Sequence, residues 1–514
     1  MTKNHPFIPL AYLLVYFCVG LIFLVDFPFV HSDEAWLGGL SREMLARGSL
    51  GVTEPFFDLK VRHPHAIKSL FHLAQELFIR VFGYDIFSLR LLSLVVGCVC
   101  LFVFYKCALR LFDSEFIALC AMVLLSVDIQ FIYTCHFARN DIFILLGVCL
   151  CLFILSDRAL SPKKIALLSL VTGLCIFIHP NSFFVGCTCG TVLLYMGYKE
   201  KNYSFLLKYI LYTLPFAIGA VGISFGMDGN FIKNYFAYGQ ADFSVLAPLG
   251  EKIGGLWGFF SRLLKQNSGT YYVPRLLFQS ILFPLCALIC LGFGLVMKRE
   301  LPHMSHRIFT LIASIVGLVG GITLLGRFSQ TSIVFLFPSM WLLVVFAVKI
   351  LAEKHQKLVL TALIIVTFSL SALEIAPHFK APSYGEYLDK ISATVPRDAS
   401  VIANLNADFY FDNGCLYDYR NLPFIKDVQQ LEEYVSKHKI EYIIYSDELD
   451  FIYQNRPYYN VIYGNIMFLE PLKEFCTQHC TVAGEFFDGQ YGVRIISLLN
   501  GGEYGNVTVY KVSR

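Results

Sequence analysis

The sequence predicts an all-α polytopic membrane bundle of about eleven spans, carrying a small C-terminal α/β domain. Three observations lead there. Of 514 residues, 56% are hydrophobic and only 15% are charged, whereas soluble domains carry about a quarter charged residues. The mean hydropathy is +0.60, and the apolar residues are gathered into long uncharged runs of the length that crosses a bilayer. From Pro377 onward the composition turns polar and alternating. These features exclude an ordinary soluble enzyme, and a net charge of +3 offers no footprint for nucleic acid.

The runs lie at 7–29, 87–110, 115–134, 141–155, 165–178, 182–196, 205–225, 276–297, 308–325, 329–348 and 358–375. The first is read as a retained span, because at ~23 residues without a small-residue cleavage site it is unlike a signal peptide. His179-Pro180-Asn181 breaks the stretch between the fifth and sixth runs. Of 16 cysteines, all those from Cys18 to Cys290 fall in or beside these runs and read as small apolar fillers. Cys476 and Cys480 are either a short-loop disulfide or two thiols.

Lys and Arg set the orientation, because they accumulate in cytoplasmic loops. With the N-terminus inside, alternate loops hold Lys106 and Arg110; Arg158, Lys163 and Lys164; Lys199, Lys201 and Lys208; Lys298, Arg299 and Arg307; and Lys349, Lys354 and Lys357. The opposing short turns hold only Arg139 and Arg327. This registry divides the chain into a membrane domain, 1–376, with its first outer loop at 30–86, and a soluble domain, 377–514. It places both that loop and 227–275, with the soluble domain, on the non-cytoplasmic side of the cell membrane.

The first outer loop has helical content. Leu37, Leu40, Met44 and Leu45 recur at helical spacing, and Gly48 is the expected cap. A second helix is expected from His63-Pro64, with Ile67, Leu70, Phe71, Ala74, Leu77, Phe78 and Val81 opposite Lys68, His72, Gln75, Glu76 and Arg80, a pattern for the membrane interface. Leu256, Trp257, Phe259 and Phe260, near Arg262 and Lys265, repeat it in the other long loop. In the tail, 401–403, 442–445, 493–498 and 507–512 read as strands and 428–437 as a helix. No phosphate-binding glycine loop stands beside a strand.

The candidates for chemistry collect at the outer ends of the runs. Asp33 and Glu34 are adjacent carboxylates able to take a proton from a hydroxyl nucleophile; alternatively they complement the dipole of the helix they begin. Asp141, in Arg139-Asn140-Asp141, is a second acidic position, unless it or Asn140 caps the next helix. Arg90 lies about one turn inside the second span, where a charge is functional, paired or snorkelling. Lys60, Arg62, His63 and His65 form a basic cluster suited to phosphate, with His179 and Arg327 as single-residue hints. Asp33, Glu34, His63, His65 and His179 are the only candidates for a divalent cation, and none has a paired ligand spacing.

In order, Asp33-Glu34-Ala35-Trp36, Arg42-Glu43-Met44-Leu45-Ala46-Arg47-Gly48, Lys60-Val61-Arg62-His63-Pro64-His65, Phe82-Gly83-Tyr84, Ser88-Leu89-Arg90-Leu91-Leu92-Ser93 and Ala138-Arg139-Asn140-Asp141 resemble the bacterial protein mannosyltransferase and aminoarabinose transferase group. The resemblance is carried by about the first 200 residues and implies the GT-C fold. It also implies transfer of a sugar from a polyprenyl phosphate to an extracytoplasmic acceptor: a protein, a lipid or a cell-envelope glycan. By it Asp33 is the catalytic base with Glu34 beside it, Asp141 is the second acidic residue, and Arg90 is the arginine at the start of the second span. Donor phosphate contacts are then expected from Arg90, Lys60, Arg62, His63, Arg139 and Arg327. The group's Lys-Pro-Pro stretch appears here as Arg62-His63-Pro64-His65. A lipid-phosphate donor needs no nucleotide fold, and direct displacement at the anomeric carbon inverts configuration. The rival reading, a transporter or flippase, would place ionisable or helix-breaking residues near the bilayer midplane.

Overall fold

The structure is a computed structural model that describes residues 7–157, 160–243, 245–265, 274–455, 465–493 and 504–513. Each of the expected apolar runs is helical, as Phe7–Ile22, Ile86–Phe112, the bent pair Glu115–Ser126 and Ile129–Cys135, Asp141–Leu155, Pro162–Ile176, Ser182–Glu200, Ser204–Met227, Leu277–Val296, Pro302–Leu325, Phe337–Leu351 and Gln356–Ile375. By length and composition alone, 6 are long and apolar enough to cross a membrane, or 7 if the bent pair counts as one span. The chain is therefore a multi-pass membrane protein, with several helices shorter than a full crossing.

Local signals set the helix ends. Asp85, Ser114, Asp128 and Ser161 each accept an amide hydrogen bond at a helix start, satisfying donors that the first turn leaves open. At one end of the bundle Arg110 and Lys164 flank Asp157, and Arg307 reaches Asp113. The opposite end carries the first outer loop, the helices Phe231–Phe243 and Leu249–Lys265, and the tail.

In the first loop, Ser32–Arg47 is helical and ends on Gly48 in the left-handed conformation at φ 62°. The next helix starts later than expected, at Ser69–Phe82, after a short 3-10 turn at Ala66–Lys68. Its faces carry a finding. Leu70, Leu73, Leu77 and Val81 are exposed, whereas His72 and Gln75 are buried against the Ser41 hydroxyl, which donates to Gln75 at 2.7 Å. Part of the polar side faces protein, and these four apolar residues face outward while Phe71 stays buried.

The tail builds a five-stranded sheet from β1 (Val401–Ala403), β2 (Leu416–Asp418), β3 (Tyr442–Ser446), β4 (Cys480–Phe487) and β5 (Asn506–Val512), in the order β2-β1-β3-β5-β4. The β2-β1-β3 part is parallel and β5 is antiparallel to both neighbours. Three expected strands and the helix Val428–His438 are present. The expectation at 493–498 falls outside the described residues except for Val493, which is not in a strand. Alternation along β1, β3 and β5 separates two cores. Val401, Ala403, Tyr442, Ile444, Val507 and Val509 pack with Val30, Ala35, Phe56 and Phe57 of the first loop. Ile402, Ile443 and Tyr445 pack with Leu431, Leu472 and Phe475 of the covering helices. Cys476 and Cys480 are thiols at the junction of the Leu469–His479 helix with β4.

Candidate active site

Two of the expected site residues serve one another. Glu34 and Arg90 are fully buried and form a bidentate pair, Nε to Oε1 and Nη2 to Oε2, both at 2.8 Å. Glu34 also accepts the amides of His31 at 3.0 Å and Ala138 at 2.9 Å. The remaining Arg90 nitrogen, Nη1, donates to the carbonyls of Leu24, Val25 and Pro28. All three guanidinium nitrogens therefore donate to protein, and both Glu34 oxygens accept. The structure sets these two expected site residues against one another and against the backbone around the start of the first loop.

Asp33 is placed differently. It begins the same helix one position earlier, so its side chain leaves the axis about 100° away from that of Glu34, and it keeps partial exposure. Arg139 Nη1 stands 3.4 Å from Asp33 Oδ2, and Arg139 Nε stands 3.4 Å from Asp141 Oδ2. One guanidinium therefore bridges the two carboxylates expected to do chemistry. The link depends on the sharp turn between Ile129–Cys135 and Asp141–Leu155, in which the Arg139 amide donates to Phe137 O at 2.7 Å. Asn140 occupies the cap position without a side-chain cap bond. Asp141 is buried and, beyond the Arg139 ion pair, neither carboxylate oxygen has a hydrogen-bond partner among the described residues. Such unspent acceptors are rare unless a ligand or water uses them. Asp141 lines a narrow crevice with Tyr133, Thr134, Phe137, Arg139 and Thr331.

A wall of cations is built from the loops. Glu54 is its hub: the carboxylate receives Trp36 Nε1 at 2.8 Å, Arg62 at 3.3 Å and Lys68 Nζ at 3.3 Å. Burial alone would raise the Glu54 carboxyl, but the Arg62 and Lys68 charges overrule it and hold it well below the usual range. Arg62 also lies over the Tyr238 ring at 4.5 Å. Burial, with Lys68 beside it, pushes His65 down to about 3. His179 is lowered strongly by burial and then by Arg327, Arg139 and Lys68. The Arg327 guanidinium is itself lowered by burial and by Arg139, against the pull of Tyr235, Tyr238 and Asp141. Lys68, Arg139 and Arg327 thus all act on His179, and Arg139 acts on Arg327.

The other two expected phosphate residues sit at the margin. Lys60 lies over the Trp36 and Phe57 rings at 5.6 and 5.8 Å. His63 is exposed and faces Asp228 and Asn234 of the second long loop. Sequence reasoning passed over Glu54, Lys68, Tyr235 and Tyr238. A signal existed for the tyrosines, since an i, i+3 pair shares one helix face; Lys68 read simply as part of a polar face. Among the described residues no group of three or more His, Cys, Asp or Glu side chains is placed to hold a metal ion. Glu34, one of the expected ligands, is already spent on Arg90.

The family model for dolichyl-phosphate-mannose-protein mannosyltransferases matches residues 63–224, under a third of the chain. In three dimensions the chain is similar along nearly all its length to ArnT from Cupriavidus metallidurans bound to undecaprenyl phosphate, with a TM-score of 0.61 at 11% identity, covering 98% of this chain and 97% of that one. The fold is of the GT-C type. It is also similar to the archaeal oligosaccharyltransferase AglB from Archaeoglobus fulgidus, in complex with an inhibitory peptide and a dolichol-phosphate, with a TM-score of 0.51 at 12% identity over 95% of this chain and 74% of that one. No curated protein matches significantly in sequence. In this GT-C bundle the carboxylate pair and the cation wall lie at the end that carries the two long loops and the tail.

Proposed function

We propose that this protein is a membrane glycosyltransferase that moves a hexosyl or pentosyl group from a polyprenyl phosphate to a hydroxyl or amine acceptor on the non-cytoplasmic face. The observation that carries the reading is the Asp33–Arg139–Asp141 arrangement: one guanidinium 3.4 Å from each of two carboxylates. Its supports are the GT-C fold and two similar structures holding a polyprenyl phosphate, undecaprenyl in one and dolichyl in the other. Asp33, Lys68, Arg139, Asp141 and Arg327 stand at helix starts or between helices rather than within a span, which disfavours the transporter reading.

In this reading Asp33 takes the proton of the acceptor while its oxygen or nitrogen attacks the anomeric carbon. The bond to the lipid phosphate breaks on the opposite face, giving inversion, and the transition state carries oxocarbenium character as in glycoside hydrolysis. Charge develops on the departing phosphate, where fixed cations act most strongly. Lys68, Arg327 and Arg139 take that role, with Arg62 and Lys60 at the edge. Asp141, buried and short of hydrogen bonds, holds Arg139 and faces the sugar. In this reading the soluble part of the tail, 377–514, lies with the site on the non-cytoplasmic side, in line with the Lys and Arg asymmetry.

The test is a transfer assay with purified protein in lipid nanodiscs and a panel of polyprenyl-phosphate sugars. Release of polyprenyl phosphate, dependent on an added cell-envelope fraction and absent in Asp33→Asn, is the expected result. Failure of every donor to be consumed, with the protein folded, overturns the reading.

A further inference from the structure

The cation wall is held in shape by a residue far away in sequence. Asn421 is fully buried in the short 3-10 segment Tyr419–Phe424 that follows β2. Its Oδ1 accepts from the backbone amides of Asp58, Leu59 and Lys60, at 3.2, 3.3 and 3.4 Å. Its Nδ2 donates to Phe56 O at 2.9 Å, a carbonyl that also receives the Asp418 amide at 3.2 Å. Successive amides converging on one oxygen form a concavity that normally takes an anion or carbonyl. Here one side-chain amide fills it. Segment 54–60 has no helix or strand and closes one backbone bond of its own, Phe57 N to Glu54 O at 3.4 Å, so contacts from outside contribute much of its path.

Arg420, the neighbour of Asn421, acts on the same segment. Asp418 Oδ1 holds Arg420 Nε at 2.6 Å, and the guanidinium lies over the rings of Trp36 at 4.3 Å and Phe57 at 4.8 Å. Trp36 in turn donates to Glu54, the carboxylate that gathers Arg62 and Lys68. Trp36 is three residues after Asp33 on one helix, so both lie on nearly the same face.

We propose that Asn421, supported by Arg420, is a positioning residue of the donor site: the tail domain fixes where Lys60, Arg62 and Lys68 stand, and thereby how tightly the lipid phosphate is held. Neither residue touches substrate. This inference rests on the donor reading above and assigns the tail a part in it.

The experiment measures binding of undecaprenyl phosphate, together with melting temperature and donor KM and kcat, for the full chain in nanodiscs. Asn421→Ala removes the acceptor for three amides; Asn421→Asp keeps an oxygen there. Arg420→Lys keeps a charge for Asp418 but loses the flat stack, and remains informative if Asn421→Ala does not fold. Asn413→Ala is the control, since Asn413 joins the tail to Glu43 at 2.5 Å without touching segment 54–60. The expected result is a roughly tenfold weaker affinity and higher donor KM for Asn421→Ala, several-fold for Arg420→Lys, recovery in Asn421→Asp, and no change in Asn413→Ala. Lower melting temperature with unchanged affinity in Asn421→Ala and Arg420→Lys overturns the inference and leaves the donor reading standing. Absence of binding by the unmodified protein overturns the donor reading; slowed exchange of the Asp58–Lys60 amides relative to Asn421→Ala then still reports whether Asn421 holds the segment.

Discussion

At the scale of single residues, two adjacent charges separate by what surrounds them. Asp33 and Glu34 are neighbours in sequence, yet Glu34 is saturated by Arg90 and two amides while Asp33 keeps a loose contact at 3.4 Å with Arg139. Asp33→Asn should therefore lower turnover by about 10²- to 10⁴-fold, the usual cost of a lost general base, with the melting temperature held; unchanged turnover at saturating substrates would return Asp33 to a helix-dipole role. Arg90→Ala should act oppositely. It strands a buried carboxylate, a loss of about 3–5 kcal/mol, so thermal denaturation should show a large drop while the fraction that remains folded still binds donor. Arg90→Lys cannot reproduce a bidentate pair plus three carbonyl contacts and should fall between. His65 gives a pH effect. Its folded pKa, about 3, lies below its unfolded value, so the unfolded chain binds the extra proton and stability declines as pH falls from ~6.5 toward ~3. His65→Gln should flatten that decline in melting temperature measured between pH 7 and pH 5. The sequence could not rank these charges, because Arg90 reads identically whether it meets a phosphate or Glu34; only the burial of both partners decides.

At the scale of elements, periodicity revealed the helices but not their breaks or their facing. The run at 115–134 looks continuous, yet the structure bends it by 69° between Ser126 and Ile129. Asp128 caps the second piece, and its carboxylate also receives Gln279 Nε2 at 2.9 Å and Trp341 Nε1 at 3.3 Å. A lone acid in an apolar run signals a function or a structural break, and here three distant elements meet on it. Asp128→Ala should leave those donors unsatisfied, at about 1–3 kcal/mol, and loosen the turn that presents Arg139. Asp128→Asn, which keeps an acceptor, should be milder; equal melting temperatures for both would show that the cap carries little. The facing of Ser69–Phe82 was hidden for a different reason. A stripe of apolar side chains tells that a helix has two faces, but in this membrane protein part of the apolar face turns outward and His72 and Gln75 turn inward to Ser41, the reverse of a soluble helix. In the tail, β1, β3 and β5 were legible because they alternate on both sides of a covered sheet. β2, three residues long, and β4, an exposed edge strand, lack that contrast.

At the scale of the whole molecule, the Lys and Arg count gives a topology that one measurement checks. A reporter active only in the cytoplasm, fused after Arg514, should be silent, and a strong signal would reverse both the orientation and the face assigned to the site. The apolar runs sufficed to read a multi-span bundle, and the motifs sufficed to bring Asp33, Asp141 and Arg139 together. What they missed is the union of the first outer loop with the tail, since Asp408 with Arg42 and Asn421 with Asp58 are joined over more than three hundred residues of chain. The Glu34–Arg90 pair has a consequence for how the protein is made. Glu34 gains its Arg90 contacts only when residue 90 has been synthesised, and its last acceptor bond only when Ala138 follows. A nascent chain stopped between those points holds a charged pair in the apolar phase with one lone pair open, so insertion of the first helices is not final until the turn before Asp141 has emerged. Stalled chains ending near residue 120 should be extracted from the membrane by alkaline carbonate more readily than chains ending near residue 160, and equal resistance would separate assembly from this anchor.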